Sequence, residues 1–184
     1  MKGRGDTGLA KNKNLINEFD PKNLFSSFYQ TSKAILLSAR AFFQGMRRDG
    51  GFLNPFLYML YCIVFHVLVF GLLQKNPMFM FRTLVLGLIF PLITSGILFF
   101  FITRVFKAPG SYETAFRVNA YASMVNLLTW LPLIGWLFEF YRIYLIVLGL
   151  SFAFSIKMTR AFLAILITMA IYIIAAGAIS HFIL

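Results

Sequence analysis

The sequence predicts an all-α, polytopic integral membrane helical bundle with five transmembrane helices preceded by an amphipathic interfacial helix. Hydrophobic residues make up 60% of the 184 residues, and charged residues only 12%. Soluble domains are about 45–50% apolar and about 25% charged. A soluble fold has too little polar surface to cover this much apolar area, whereas lipid accepts it. The apolar residues also fall into separate runs with few or no charges, each close to the roughly 20 residues that cross a bilayer.

Composition divides the chain into three segments. Residues 1–23 are polar and lack periodicity, so we expect a mobile tail. Residues 24–53 combine an amphipathic helix with a Gly-Gly turn. Residues 54–184 hold the membrane domain. Its five spans are predicted at residues 55–73, 83–103, 114–132, 136–156 and 160–184.

The segment before the first span has helical periodicity. Its apolar residues recur every three or four positions, and basic or polar residues fall mostly between them. We expect it to contact lipid or a partner through Phe28, Lys33, Leu36, Arg40, Phe43 and Arg47. Two placements stay open: in the plane of the membrane interface, or packed on the cytoplasmic ends of the spans.

Local signals bound the individual spans. Asn54 can cap the first span and Pro55 suits its first turn. Pro91 should kink the second span or free a backbone carbonyl. Pro132 and Gly135 require a tight turn between the third and fourth spans, and a re-entrant pair in place of two full spans is the alternative.

The basic residues predict the topology. Residues 1–54 carry nine Lys and Arg, residues 104–117 carry three and residues 157–160 carry two, which makes fourteen on one side. Only Lys75, Arg82 and Arg142 fall on the other side. Because cytoplasmic loops are enriched in basic residues, we expect a cytoplasmic amino terminus and a carboxyl terminus outside the cytoplasm.

The sequence lacks the common catalytic motifs. It has no nucleophile elbow, phosphate-binding loop, dinucleotide fingerprint or zinc motif, so we predict that the protein is not an enzyme and has no cofactor. The single Cys62 excludes an internal disulfide. His66 and His181 lie at different depths, which favours a hydrogen-bonded interior His66 over paired haem ligation.

Seven polar residues near or within the spans are candidate contacts for a partner or lipid: Glu113, Arg117, Asn119, Tyr121, Asn126, Glu139 and Arg142. The two Glu–Arg pairs either form a polar path or docking point, or they only pair at helix ends. Asn119 and Asn126 are seven residues apart and should share an inward helical face. That face either binds helices together or lines a substrate path.

Two stretches of the chain resemble a known family. The first stretch lies in the membrane domain and consists of residues 111–121, 131–135, 141–144, Gly149-Leu150 and 157–161. The second stretch leads into the first span and consists of residues 42–46, Gly50-Gly51 and Asn54-Pro55. In this order they resemble the Yip family of membrane proteins that interact with Ypt/Rab GTPases, and the second stretch is similar to its prokaryotic members. The resemblance covers roughly residues 40–184.

The resemblance implies five spans and the same topology as the basic residues predict. Its eukaryotic members act in early secretory membranes and bind small GTPases. This chain has a short tail without their acidic, aromatic motifs, which counts against GTPase binding. The resemblance to prokaryotic members implies an inner-membrane protein.

These observations lead to a functional hypothesis. We expect a non-enzymatic component that organises a membrane or belongs to a membrane complex, with a transporter or lipid-translocating protein as the alternative. The expected partners are the bilayer, with anionic lipid, and a membrane protein or a second copy. Nucleic acid is not expected, because the basic residues cluster at one end and in loops between apolar runs.

Overall fold

The computed structural model describes residues 18–131 and 134–183, except the side chains of Leu72, Gln74 and residues 179–183. These residues form six α-helices and no strand. The helices are α1 (Leu24–Gly45), α2 (Leu53–Gln74), α3 (Pro77–Phe100), α4 (Tyr112–Ala122), α5 (Gly135–Ala153) and α6 (Met158–Ile183). Short turns of other helix types lie at Pro21–Asn23, Phe101–Val105 and Ser123–Leu127. The all-α prediction is confirmed.

Four helices in the described part of the chain are long and apolar enough to cross a membrane. They cover Leu53–Gly71, Pro77–Val105, Gly135–Ala153 and Met158–Ala178. The protein is therefore a multi-pass membrane protein by length and composition. The predicted count of five is not confirmed, because four of the five predicted spans correspond to such helices.

The predicted third span, residues 114–132, differs from the others. Helix α4 has 11 residues and gives way to the 3₁₀ turn Ser123–Leu127. Eleven residues rise only about 16 Å, about half the hydrocarbon thickness. Every residue from 114 to 125 is buried among the other helices instead of facing outward. Helix α5 is long enough to span and α4 is not, so this region combines one full span with a short internal helix.

Two helix starts correct the sequence prediction. Helix α2 begins at Leu53, so Asn54 lies inside its first turn and does not cap it. Helix α3 begins at Pro77, six residues before the predicted 83, because the Asn76 side chain accepts a hydrogen bond from the Phe79 N–H at 3.1 Å. An Asn-Pro pair lies at the start of both spans, and it caps only the second of them.

Helix α1 lies lengthwise against α5. The Tyr141 hydroxyl donates to the carbonyls of Ile35 and Leu36 at 3.2 and 3.0 Å. Further along, the Arg40 guanidinium lies 5.8 Å from the centre of the Phe152 ring. Tyr141 and Phe152 are separated by roughly 16 Å along the α5 axis. The apolar face of α1 is therefore part of the bundle core.

Helix α1 is kinked at Ser38, whose φ is −140° and ψ is 42°. Such a break removes the helical partners of the carbonyls one turn earlier. Those carbonyls belong to Ile35 and Leu36, and Tyr141 supplies their hydrogen bonds. The Tyr141 hydroxyl of α5 therefore stabilises the kink in α1.

Residues 18–23 belong to the predicted tail but pack on the bundle. Phe19 is fully buried and its ring contacts the rings of Phe28, Tyr58 and Tyr61 at 5.7–6.5 Å between centroids. The prediction of mobility does not hold for this segment, because an aromatic anchor among polar residues gives no periodic signal. The rest of the predicted tail, residues 1–17, lies outside the described residues.

Candidate functional site

The candidate site is centred on the first turns of α4. The Ser111 hydroxyl accepts a hydrogen bond from the Thr114 N–H at 3.2 Å and caps the helix. This start places Glu113 and Arg117 one turn apart on the same face. We call Glu18, Gly50, Gly51, Glu113 and Arg117 the Arg117 cluster.

Glu113 holds the loop that precedes α2. Its Oε1 atom accepts hydrogen bonds from the backbone N–H groups of Gly50 and Gly51, at 2.8 and 2.7 Å. Gly51 has φ of 85°, a left-handed conformation that favours glycine. The Gly-Gly turn predicted from the sequence thus forms a loop whose backbone N–H groups bind the Glu113 carboxylate.

Arg117 joins three separate parts of the chain. Its Nη1 atom donates to the Gly51 carbonyl at 3.0 Å and lies 3.8 Å from Glu113 Oε1. Its Nη2 atom pairs with the Glu18 carboxylate. Only 1% of the Arg117 side chain is exposed, against 14% for Glu18 and 21% for Glu113. A buried guanidinium is tolerated only when it is paired, and here two carboxylates and a carbonyl surround it.

Arg48 extends this cluster to α5. Its Nη2 atom donates to the Phe152 carbonyl at 3.2 Å and to the Ser155 hydroxyl at 3.0 Å. The Arg48 carbonyl accepts from the Thr114 hydroxyl at 3.1 Å. A cation at the carboxyl end of a helix is favourable, because the last carbonyls lack helical partners. The loop before α2 is thus held to both α4 and α5.

Asn119 binds α4 to the proline turn of α3. Its Nδ2 atom donates to the Pro91 carbonyl at 3.1 Å and to the Ser95 hydroxyl at 3.3 Å. About two turns earlier, the Tyr112 hydroxyl donates to the Leu92 carbonyl at 3.0 Å. The Oδ1 atom of Asn119 has no partner among the described residues. Asn119 therefore joins two helices, as the interhelical interpretation of the sequence expects.

Tyr121 is fully buried in an aromatic group. Its ring lies 5.1 Å from that of Phe42 and 5.3 Å from that of Tyr58, between centroids. Its hydroxyl has no hydrogen-bond partner in the described part of the chain. Tyr121 thus links α4 to α1 and α2 by packing.

Asn126 lies in the 3₁₀ turn that follows α4, whereas Asn119 lies in α4 itself. The chain changes from α-helix to 3₁₀-helix at Ser123, and the tighter turn rotates every later side chain. Asn126 is half-buried, and its carbonyl lies 3.2 Å from His66 Nδ1. The Thr129 hydroxyl lies 3.2 Å from the same nitrogen. His66 is hydrogen-bonded, as expected, while the side chain of His181 lies outside the described residues.

The second Glu–Arg pair is isolated from the cluster. Glu139 Oε2 and Arg142 Nη1 are 3.9 Å apart on α5, with 53% and 25% of their side chains exposed. No other hydrogen bond of either side chain is recorded among the described residues. The structure therefore separates two pairs that the sequence treats alike.

The six predicted contact residues of the amphipathic helix lie on two faces. Lys33, Leu36, Arg40 and Arg47 are exposed. Phe43 is fully buried against Gly149, where an added methyl group would approach its ring to 3.0 Å. Phe28 is half-buried and packs on the core. Phe28 and Phe43 therefore help to form the bundle core, and contact of the four exposed residues with lipid or a partner stays a prediction.

Glu18 and Phe19 are the members of the site that sequence analysis missed. They lie in a polar segment without periodicity, and their partners are far away in the chain. The described residues also contain no group of three His, Cys, Asp or Glu side chains placed to hold a metal ion.

The fold and the site together define a class of protein: a multi-pass helical membrane protein whose pre-membrane segment is fastened to the bundle by buried ionic contacts. The Yip1 domain model matches residues 33–179, which include most of α1 and nearly all of the membrane helices. The chain therefore belongs to the Yip1 domain family. No curated protein and no solved structure matches it.

Proposed function

We propose that this protein is a non-enzymatic component that organises a membrane, either as a scaffold or as a small subunit of a membrane complex. We place it in a prokaryotic inner membrane, with its amino terminus in the cytoplasm and its carboxyl terminus outside. Family membership and the asymmetric distribution of basic residues support this proposal.

The observation that carries the proposal is that the interior polar side chains form hydrogen bonds and ion pairs with other parts of the protein. Glu113 and Arg117 bind backbone groups and each other, and Asn119 binds a neighbouring helix. A general acid, base or nucleophile needs access to a substrate. Side chains engaged in this way stabilise the contacts between elements, which supports a structural role.

The outer face of α1 supports contact with lipid or a partner. We define the α1 outer stripe as its exposed large or basic residues: Phe25, Tyr29, Lys33, Leu36, Leu37 and Arg40. They follow one another at helical spacing and combine aromatic, aliphatic and basic groups. This combination is typical of helices that bind the boundary between lipid headgroups and acyl chains.

A variant of the outer stripe tests the proposal without disturbing the core. Deleting α1 would remove Ile35, Phe42 and Phe43 from the core, so loss of function after deletion would be uninformative. The substitution Leu37→Ser changes a side chain that is 69% exposed. Ile173→Ser on α6 is the matched control, since that side chain is 71% exposed.

Two readouts apply to each variant: the proteins that co-purify from native membranes in nanodiscs, and the shape of reconstituted vesicles under the electron microscope. We expect Leu37→Ser to reduce partner recovery or membrane deformation, and Ile173→Ser to leave both unchanged. If Leu37→Ser leaves both unchanged, α1 does not act as proposed.

Solute or lipid translocation is the second candidate function. The buried Asn119 Oδ1 and Tyr121 hydroxyl, which lack partners among the described residues, favour it. Polar atoms of this kind within a membrane domain often mark a path. Reconstituted protein should then show flux that Asn119→Leu abolishes while the protein stays folded. Absence of flux in the unmodified protein removes this candidate.

A further inference from the structure

A groove of about 320 Å³ lies between α1 and the 3₁₀ turn Ser123–Leu127. Its α1 wall consists of Tyr29, Ser32, Lys33, Leu36 and Leu37. Its opposite wall consists of Met124, Leu127 and Leu128, which are all apolar. The α1 wall includes four of the six residues of the α1 outer stripe.

The groove has a polar end and an apolar end. Tyr29 and Lys33 are one helical turn apart, so the hydroxyl and the ammonium group lie on the same side of α1. Leu36 and Leu37 follow one turn later and continue the wall with aliphatic groups. Ser32 adds little polarity, because its hydroxyl lies 2.8 Å from the Tyr58 hydroxyl and is hydrogen-bonded to it. A ligand that fits has an anionic or polar head and an aliphatic chain.

Lys33 leaves its charge available to such a ligand. It is exposed, and the ion pairs of the described residues involve only Arg117 and Arg142 as cations. A lysine on a helix of a membrane domain attracts an anionic lipid headgroup when no protein carboxylate neutralises it. The charge of Lys33 and the apolar groove beside it therefore complement the two parts of a phospholipid.

We propose that this groove binds one anionic phospholipid, with the phosphate on Lys33 and Tyr29 and an acyl chain against Leu36, Leu37, Leu127 and Leu128. The site deepens the proposed function, because it assigns a lipid to part of the α1 outer stripe. It does not depend on partner binding or on membrane deformation. The photo-reactive substitution at Leu36 distinguishes this lipid from a helix of a second copy.

The first test is native mass spectrometry of the full chain, released from nanodiscs that contain equal amounts of phosphatidylglycerol and phosphatidylcholine. We expect the protein to retain one phosphatidylglycerol in preference to phosphatidylcholine. Lys33→Gln should reduce this retention about tenfold, because the hydrogen bond to a charged group is lost. Lys22→Gln removes an equally exposed lysine outside the groove and should leave retention unchanged.

The second test identifies what occupies the apolar end. A photo-reactive amino acid in place of Leu36 should attach to lipid, whereas the same group in place of Phe25, which does not line the groove, should give much less of that product.

Three results would overturn the proposal: equal retention by the Lys33→Gln and unmodified proteins, equal loss with Lys22→Gln, or attachment of the Leu36 probe to a second protein chain. Reduced lipid retention in Lys33→Gln together with normal partner recovery and vesicle shape would separate this site from the proposed function.

Discussion

The two Glu–Arg pairs of this protein have nearly the same sequence spacing but different surroundings. Arg117 is almost completely buried and contacts Glu18, Glu113 and the Gly51 carbonyl. Arg142 is one-quarter exposed, and its one ion pair among the described residues is with Glu139, at 3.9 Å. The first pair connects the amino-terminal segment, the loop before α2 and α4. The second pair lies within one helix.

The difference shows that burial and the number of joined segments decide the energetic weight of an ion pair. An exposed pair gains little, because water screens both charges. Breaking a buried pair costs more, because the remaining charge keeps its desolvation penalty. The Arg117 cluster should therefore control the stability of the contacts between the amino-terminal segment, the loop before α2 and α4, while the Glu139–Arg142 pair should be dispensable.

The largest expected effect is that of Arg117→Met. It leaves Glu18 and Glu113 without their cation, so the free energy of unfolding should fall by about 3–5 kcal/mol. Equilibrium unfolding with denaturant in mixed micelles measures this change. The free energy of unfolding of Arg117→Lys should lie between those of the unmodified protein and Arg117→Met, since one ammonium group cannot bridge all three partners. A loss no greater than that of Arg142→Met would contradict the comparison.

Glu113→Ala should have the next largest effect. The N–H groups of Gly50 and Gly51 lose their acceptor, which costs about 1–3 kcal/mol. Hydrogen exchange should accelerate at these two amides before the helices open. Glu139→Ala serves as the control and should leave exchange in this loop unchanged. Unchanged exchange in Glu113→Ala would show that the loop is held by other contacts.

Tyr141→Phe should have a smaller effect, centred on the α1 kink. The carbonyls of Ile35 and Leu36 lose one shared donor, and we expect a loss of about 1 kcal/mol. Hydrogen exchange in α1 near Ser38 should increase while that in α6 does not. Tyr144→Phe, at an exposed neighbouring tyrosine, is the matched control. Equal effects of the two substitutions would refute the specific role of Tyr141.

Arg142→Met should have the smallest effect, below about 0.5 kcal/mol in the free energy of unfolding. A double-mutant cycle with Glu139→Ala should give a coupling energy close to zero. The same cycle on Glu113 and Arg117 should give a clearly larger value, because that pair is mostly buried. Similar coupling energies at both sites would show that the two Glu–Arg pairs contribute equally to stability.

The membrane helices were predictable because lipid imposes simple requirements on length and charge. Apolar runs with few charges near residues 55–73, 83–103, 136–156 and 160–184 correspond to the four helices that are able to span. The run at 114–132 is also mostly apolar, but its α-helix ends at Ala122. Asn119 explains part of the difference, since its bonds to the proline turn of α3 place α4 inside the bundle. Hydropathy cannot distinguish a helix that faces lipid from one that other helices enclose.

The candidate site was predictable only in part. Glu113, Arg117 and Asn119 were identified because polar residues within apolar runs are few and must find partners. The partners of these residues could not be predicted, because Glu18 is separated from Arg117 by 99 positions and the Gly50 and Gly51 contacts use backbone atoms. The sequence left open whether Phe28 and Phe43 face lipid or the other helices, since periodicity shows that a helix has an apolar face without showing what covers it.

The sequence by itself determined that this protein is helical, multi-pass and a member of the Yip1 domain family, because apolar length, charge distribution and motif order are local properties of the chain. Tertiary structure alone decided that α1 packs along α5, that α4 is enclosed and that Arg117 is buried while Arg142 is not. These outcomes depend on which segments meet in space, and the energy of a polar group depends on those neighbours more than on its position in the chain.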